Sequence, residues 1–221
     1  MKLLVRTMGP FMPKAVAVTA IAACFCSVVV SAAEVPAQVT VPENSYQTVI
    51  LVRHAEKADA EGKPSADQGL SPAGKSRAIA LAEALKDAGV TAILTTSLQR
   101  TIQTAQPIAA LRQIAPRVVA LQRTGQGSHI DAVVAAIRAE AVKAERTSQK
   151  NSVVLVVGHS NTVPAIVGAL GGPLLANLCE SDHAGLFILT IDAAGGTRVI
   201  RSKYGQMNAV ISQGVDAVAC K

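Results

Sequence analysis

The sequence predicts a three-layer αβα sandwich, in which helices cover both faces of a mostly parallel sheet. Short segments rich in Val, Ile and Leu alternate with longer segments that have helix start and stop signals, and such alternation is typical of parallel sheets. The most apolar segment, residues 152–157, has the sequence SVVLVV, as expected for a strand covered on both faces. Apolar residues are 50% of the 221 positions, enough to form a core, so a disordered chain is not expected.

The elements follow one another in a regular order. The predicted strands are residues 47–52, 91–94, 117–121, 152–157, 186–191 and 197–202, the last two forming a hairpin. The predicted helices are residues 72–88, 99–112, 128–145 and 163–170. Ser71 is the expected N-cap of the first helix, with Pro72 at its first position and Gly89 after its end. Ser128 is the expected cap of the third helix.

The N-terminal segment has the pattern of an export signal. Residues 1–33 have a positive start, an uncharged run and small residues at the expected cleavage position, which predicts a signal peptide. Two alternatives remain: acylation at Cys24, as in lipoproteins, or an uncleaved membrane anchor. All three predict a periplasmic or secreted protein, with a linker at residues 34–46 and one domain at residues 47–221.

Removal of the signal changes the charge and the cysteine count. The formal net charge falls from +6 to +3 because the segment contains three basic and no acidic residues. Aromatic residues are 2% of the chain, so nucleic-acid binding by base stacking is not expected, and contact with a membrane is expected only through the N-terminus.

Cys179 and Cys220 are the two cysteines that remain after removal of the signal. They either form a disulfide in an oxidising compartment or stay unpaired, and the sequence does not decide between the two.

Charged and polar side chains follow three of the predicted strands. Arg53 and His54 follow the first strand, Arg100 lies shortly after the second, and His159 follows the fourth. Because ligands of parallel sheets bind at the carboxyl ends of strands, these residues are expected to form one site. The arginine fork matches phosphate oxygens, and a neighbouring cation keeps a histidine neutral and nucleophilic. The pattern therefore predicts phosphoryl chemistry.

Four segments of the chain resemble the histidine phosphatase superfamily, the branch that includes the phosphoglycerate mutases, and within it a subgroup of small exported phosphatases. They are LVRHAEK (51–57), LSPAGKSRA (70–78), SLQRTIQTA (97–105) and VVGHSNT (156–162), in the family order. The resemblance implies a phosphoglycerate mutase-like fold and a phosphatase that works without metal or cofactor. It implies that His54 is the nucleophile that becomes phosphorylated, and that Arg53, Arg100 and His159 bind the phosphoryl oxygens.

The chain departs from the family pattern at the general acid. Mutase-like members have a glutamate after the third strand, whereas residues 122–127 (QRTGQG) contain no carboxylate. Asp131 is a candidate acid, although its place three residues after Ser128 also fits a helix-dipole role. Glu56 and Asp67 are weaker candidates. If the acid is missing, we expect a preference for good leaving groups such as phosphohistidine or acyl phosphates.

Other functions compete for the same residues. GHSNT (158–162) also resembles the nucleophile elbow of α/β-hydrolases, with Ser160 as nucleophile, although its fifth position is Thr rather than Gly. A silent module that only binds a phosphorylated ligand, and a mutase-type phosphotransferase, are further alternatives. Ser160 and Asn161 lie where a helix is predicted to begin, so their main-chain N–H groups are candidates for binding the phosphate. Alternatively, the side chain of Asn161 simply caps that helix.

The remaining histidines and two basic residues are assigned simpler roles. His129 and His183 have no metal-ligand partners at a recognisable spacing and are predicted to lie on the surface. Lys57 and Arg77 are predicted to be surface or salt-bridge residues. The sequence does not indicate the substrate, because substrate contacts lie in loops that have no recognisable motif. A sugar phosphate, a lipid or polysaccharide headgroup phosphate and a phosphoprotein all remain open.

Overall fold

The computed structural model describes residues 46–58, 67–121, 126–147 and 152–206. These residues belong to one compact unit, Val41–Lys221. The predicted signal peptide, its Cys24, most of the predicted linker and Cys220 lie outside the described residues. Among the helices that are described, none combines the length and hydropathy that a membrane span requires.

A six-stranded mixed sheet forms the middle layer. Its strands are β1 (Gln47–Arg53), β2 (Ala92–Thr95), β3 (Arg117–Val118), β4 (Ser152–Gly158), β5 (Gly185–Ile191) and β6 (Thr197–Lys203). Their order across the sheet is β3-β2-β4-β1-β5-β6. The first four strands are parallel, whereas β5 is antiparallel to both β1 and β6. The predicted mostly parallel sheet and its C-terminal hairpin are therefore confirmed.

Helices cover both faces of this sheet, as predicted. They are α1 (Pro72–Leu85), α2 (Gln99–Arg112), α3 (Gln126–Arg146) and α4 (Thr162–Ala169). Alternate strand residues point to opposite faces, so Val49 and Leu51 of β1 share a core with α3 and α4. Ile50 and Val52 share the other core with α1 and α2. The three layers follow directly from the continuous apolar strands.

Several boundaries confirm the local signals and several correct them. Ser71 caps α1, with its hydroxyl accepting a hydrogen bond from Gly74 N at 3.1 Å, but the helix ends at Leu85 and a turn leads to Gly89, whose φ is +67°. β3 has only two residues, both exposed, because it lies at the sheet edge and pairs with β2 alone. α3 begins at Gln126, so the prediction that Ser128 caps it is wrong.

A buried ion pair joins α1 to the segment after β1. Arg77 donates to both carboxylate oxygens of Glu56 at 2.6–3.0 Å and also donates to Gln206 O at 2.9 Å. The arginine side chain is 7% exposed and that of Glu56 is 24% exposed. Gly74 packs so closely on the Glu56 backbone that a Cβ would overlap its carbonyl oxygen. This contact fixes the chain two residues beyond the His54 position.

We expect Arg77→Ala to lower the free energy of unfolding by about 3 kcal/mol, because the partner carboxylate stays partly buried without its cation. Burial raises the pKa of Glu56, but hydrogen bonds from Arg77 outweigh it and the net shift is downward from 4.5. The pair's contribution is therefore present above that value and is lost as the pH falls through the lowered pKa. Urea unfolding of both proteins at pH 7 and at pH 3 measures this.

Lys86→Ala is the matched control. Lys86 pairs with Glu83 at 2.7 Å, a similar distance, but both side chains are at least half exposed. Its loss is expected to leave the free energy of unfolding nearly unchanged, because water screens an exposed ion pair. Equal effects of the two substitutions would contradict the role assigned to burial, and an Arg77→Ala defect that persists unchanged at pH 3 would contradict the ion pair itself.

Candidate active site

A cavity of about 330 Å³ lies at the carboxyl ends of β1, β2 and β4. Cationic and imidazole side chains dominate its wall. The lining residues are Arg53, His54, Lys57, Leu98, Arg100, Leu121, His129, His159, Ser160, Asn161, Thr162 and Glu180. The parallel pairing of β1 with β4 sets Arg53 beside Gly158. The structure thus brings the residues predicted from three separate segments into one cavity.

His54 is held in one tautomer by the backbone. Its Nδ1 lies 2.8 Å from Ala55 O, and a carbonyl oxygen can only accept, so Nδ1 bears the hydrogen. In the neutral ring, Nε2 therefore has a free lone pair. His54 N also donates to Gly158 O at 2.9 Å, and Ala55 N donates to Thr104 Oγ1 at 2.9 Å. These bonds tie the histidine to β4 and to α2.

The two central histidines are neutral at physiological pH. The pKa of His54 is lowered to about 3, mainly by burial and further by the nearby His159 and Arg53, against the opposing effect of the bond to Ala55 O. Burial also lowers the pKa of His159 to about 4, with Arg100 as the next cause. Their rings meet edge to face with centroids 5.3 Å apart. Nε2 of His54 is consequently available as a nucleophile.

Arg53 is fixed by the loop between α4 and β5. Its Nη1 donates to Cys179 O at 2.6 Å and to Glu180 O at 2.9 Å, and its Nη2 donates to Glu180 Oε2 at 2.6 Å. The guanidinium is buried, and its Nε has no hydrogen-bond partner among the described residues. An unsatisfied buried donor beside the nucleophile is suited to an anion's oxygen.

Glu180 is a site residue that the sequence analysis missed. The hydrogen bond from Arg53 holds the pKa of this carboxyl below its ordinary value, so Glu180 is ionised. It lies 127 residues from Arg53 along the chain, in a loop without periodicity, so no sequence signal pointed to it.

His159 is oriented by a chain of hydroxyl groups. Its Nε2 lies 3.2 Å from Thr96 Oγ1, which in turn lies 2.9 Å from Thr101 Oγ1. Its main-chain N donates to Thr162 Oγ1 at 2.8 Å. Gly158 lies so close to that hydroxyl that a Cβ would come within 2.8 Å of it. The small residue before the histidine thus permits the tight turn from β4 to α4.

Asn161 occupies the N-cap position of α4, but its side chain makes no capping hydrogen bond. Both Ser160 and Asn161 line the cavity. The interpretation of Asn161 as a simple side-chain cap is therefore wrong, and the alternative that these residues contact an anion fits their position.

The candidate acids lie elsewhere. Asp131 is exposed and is not among the lining residues. Since α3 starts at Gln126, Asp131 lies beyond the first turn, where the helix dipole has faded. Glu56 is bound to Arg77, and Asp67 Oδ1 accepts from Gln99 N at 2.6 Å. Residues 122–125 lie outside the described residues.

The prediction that His129 and His183 lie on the surface is wrong. His183 is partly buried, and its Nδ1 donates to His54 O at 2.9 Å. His129 is 3% exposed and lines the cavity. Its burial could have been found from the sequence, because Ile130, Val133 and Ile137 follow at helical spacing on the same apolar side. The bond of His183 to His54 O spans 129 residues and has no local signal.

Lys57 and Cys179 complete the surroundings of the site. Lys57 is exposed, as predicted, but it also lines the cavity. Cys179, whose carbonyl accepts from Arg53, is in a disulfide. Its predicted partner Cys220 lies outside the described residues, so the specific pairing stays a prediction.

The family model of the histidine phosphatase superfamily, branch 1, matches residues 49–123. The predicted resemblance to this superfamily is confirmed over these residues, whereas the subgroup of small exported phosphatases stays a prediction. The match includes the first three motifs of this histidine phosphatase-like chain, and the fourth, at residues 156–162, lies in the same cavity through the β1–β4 pairing. No curated protein matches the chain.

Solved structures show the same fold. The protein histidine phosphatase SixA, complexed with tungstate, superposes with a TM-score of 0.53 at 19% identity, over 71% of this chain and 96% of its own. A mycobacterial glucosyl-3-phosphoglycerate phosphatase superposes with a TM-score of 0.51 at 17% identity, over 73% and 100%. At these identities the likeness establishes the histidine phosphatase fold, with its mostly parallel sheet between helices.

Proposed function

We propose that this chain is a phosphatase that hydrolyses a phosphomonoester, or another phosphoryl compound, through a phosphohistidine intermediate on His54. The observation that carries the proposal is the fixed tautomer of His54: Nδ1 donates to Ala55 O at 2.8 Å. The other ring nitrogen is then a neutral nucleophile in a cavity lined by Arg53, Arg100 and His159. Cations around a neutral nucleophile suit attack on an anionic phosphoryl group.

The first half of the reaction transfers the phosphoryl group to the protein. The lone pair of His54 Nε2 forms a bond to phosphorus while the bond from phosphorus to the leaving oxygen breaks. Arg53, through its unsatisfied Nε, and Arg100 are the donors for the non-bridging oxygens, whose charge must be stabilised in a loose transition state.

The second half releases phosphate. Water attacks the phosphorus, the N–P bond breaks, and its electron pair returns to His54 Nε2. Phosphate leaves and the neutral histidine is restored, still oriented by Ala55 O. We propose that no metal or cofactor takes part, because the cationic side chains of the cavity provide the charge stabilisation that a metal would otherwise supply.

The esterase alternative finds no support in the site. A nucleophile elbow at Ser160 needs a histidine base in hydrogen-bond contact with the serine. In the described residues no such bond is present, and His183, the histidine that follows in the chain, is bonded to His54 O instead. A silent binding module and a mutase-type phosphotransferase are separated from a phosphatase by assay.

The decisive assay is hydrolysis of p-nitrophenyl phosphate by the purified protein in EDTA, with [³²P]-labelled substrate to trap the intermediate. We expect turnover and a protein-bound label that is stable to alkali and labile to acid, as a phosphohistidine is. Phosphate binding without turnover of any phosphomonoester would indicate the silent module instead. Transfer of the label to a sugar phosphate in preference to water would indicate a mutase.

We also propose that the enzyme acts outside the cytoplasm, in the periplasm or as a secreted protein. The support is the signal-like pattern of residues 1–33 together with the disulfide at Cys179, since disulfides persist in oxidising compartments. The expected partner is a phosphorylated small molecule or macromolecule rather than a nucleic acid. Any membrane contact is expected through the N-terminal segment.

A further inference from the structure

His129 is a buried histidine in the cavity wall that the proposed reaction leaves unused. It lies on α3, is 3% exposed, and lines the same cavity as His54 and His159. It is also close enough to His159 to affect its pKa electrostatically. Ile130 and Val133, on the same helix, belong to the hydrophobic core, so His129 places a polar ring at the border between that core and the cavity.

The hydrogen bonding of His129 assigns its exchangeable proton to one atom. Its Nδ1 lies 3.1 Å from Ala120 O, and because a carbonyl only accepts, Nδ1 permanently donates there. Nε2 is therefore the atom that gains and loses a proton.

The other groups of the cavity are unsuited to protonate a leaving group. Glu180 is ionised by its bond with Arg53, and arginine and lysine hold their protons too strongly at neutral pH. His54 is the nucleophile, and Nε2 of His159 is engaged with Thr96. The imidazole is the side chain that exchanges protons near neutral pH.

We propose that His129 is the proton donor for the leaving group, an inference that rests on the proposed phosphatase function. As the bond from phosphorus to the leaving oxygen breaks, that oxygen takes the proton from His129 Nε2 and departs as an alcohol. His129 is then neutral. When water attacks the phosphohistidine, His129 Nε2 takes a proton from that water, which restores the imidazolium.

The test compares leaving groups of different acidity in the wild type and in His129→Asn. The asparagine amide can still donate to Ala120 O but cannot transfer a proton. We expect kcat/KM for glycerol phosphate, a poor leaving group, to fall by about 10²-fold or more, and that for p-nitrophenyl phosphate to fall by less than about threefold. A uniform loss across substrates is the result of a structural role and would overturn the proposal.

Two further measurements test the role of His129 without relying on the folding of one variant. They also distinguish failure of this inference from failure of the proposed phosphatase function. In the wild type, rates across a series of aryl and alkyl phosphates are expected to depend weakly on leaving-group acidity; a steep dependence means that no acid acts. In Asp131→Asn, the rate is expected to depend on leaving-group acidity as it does in the wild type. A steeper dependence in this variant would mean that Asp131, rather than His129, is the acid. A wild type that hydrolyses no phosphoryl compound contradicts the phosphatase itself.

Discussion

Replacement of His54 by alanine is expected to lower the turnover of p-nitrophenyl phosphate by at least about 10³-fold, or ~4 kcal/mol of barrier. The variant lacks the side chain that forms a bond to phosphorus in the proposed reaction. The cations of the cavity, Arg53 and Arg100, remain in place, so inorganic phosphate should still bind. Steady-state kinetics and calorimetric titration with phosphate measure the two quantities on the same preparation, and the acid-labile label should disappear.

Ser160→Ala is the matched comparison. Ser160 is two residues after Gly158 and lines the same cavity. We expect it to keep at least about a tenth of the wild-type rate, because the serine makes no bond to phosphorus in this reaction. If His54→Ala stayed within about tenfold of the wild type, ~1.4 kcal/mol, the mechanism would be wrong. A complete loss in Ser160→Ala alone would revive the esterase.

Replacement of Arg53 by lysine is expected to lower kcat/KM for phosphomonoesters by about 10²–10³-fold, or ~3–4 kcal/mol. A lysine retains the charge, but a single ammonium cannot bind two loop carbonyls, the carboxylate of Glu180 and a phosphoryl oxygen together, as the guanidinium can. Kinetics with p-nitrophenyl phosphate measure the loss, and circular dichroism checks that the fold persists.

Arg201→Lys is the control for this exchange. Arg201 is an exposed residue of β6 with its guanidinium 5.6 Å from the centre of the Phe187 ring, and it is not among the lining residues of the cavity. Its exchange should leave kcat/KM within about twofold of the wild type. Similar losses in both variants would mean that the effect reflects general electrostatics rather than the fork of Arg53.

Local patterns predicted the order of the strands and helices and the limits of some of them. The predicted limits of α2, residues 99–112, are those of the helix itself, and the apolar strand at residues 152–157 is β4 extended by one residue. Both depend on interactions within a few residues: helical periodicity, and burial of a continuous apolar run on two faces. The site residues predicted after β1, β2 and β4 come together because the carboxyl ends of parallel strands share one edge.

Contacts between distant segments were not predictable in the same way. Glu180 reaches Arg53 across 127 residues, and His183 reaches the His54 carbonyl across 129. Each depends on the path of the loop between α4 and β5, which no periodicity constrains. α3 begins two residues before Ser128, which altered the position expected for Asp131 relative to the start of the helix.

The pairing of β1 with β4 also determines when a site can exist during folding. The register joins Arg53 to Gly158, so the nucleophile and His159 become neighbours only after a loop of about a hundred residues has closed. Non-local parallel pairing of this kind is slow, because the chain loses loop entropy before contacts compensate for it. A partly folded chain therefore has no anion site, and a bound phosphate stabilises the native state alone, by mass action.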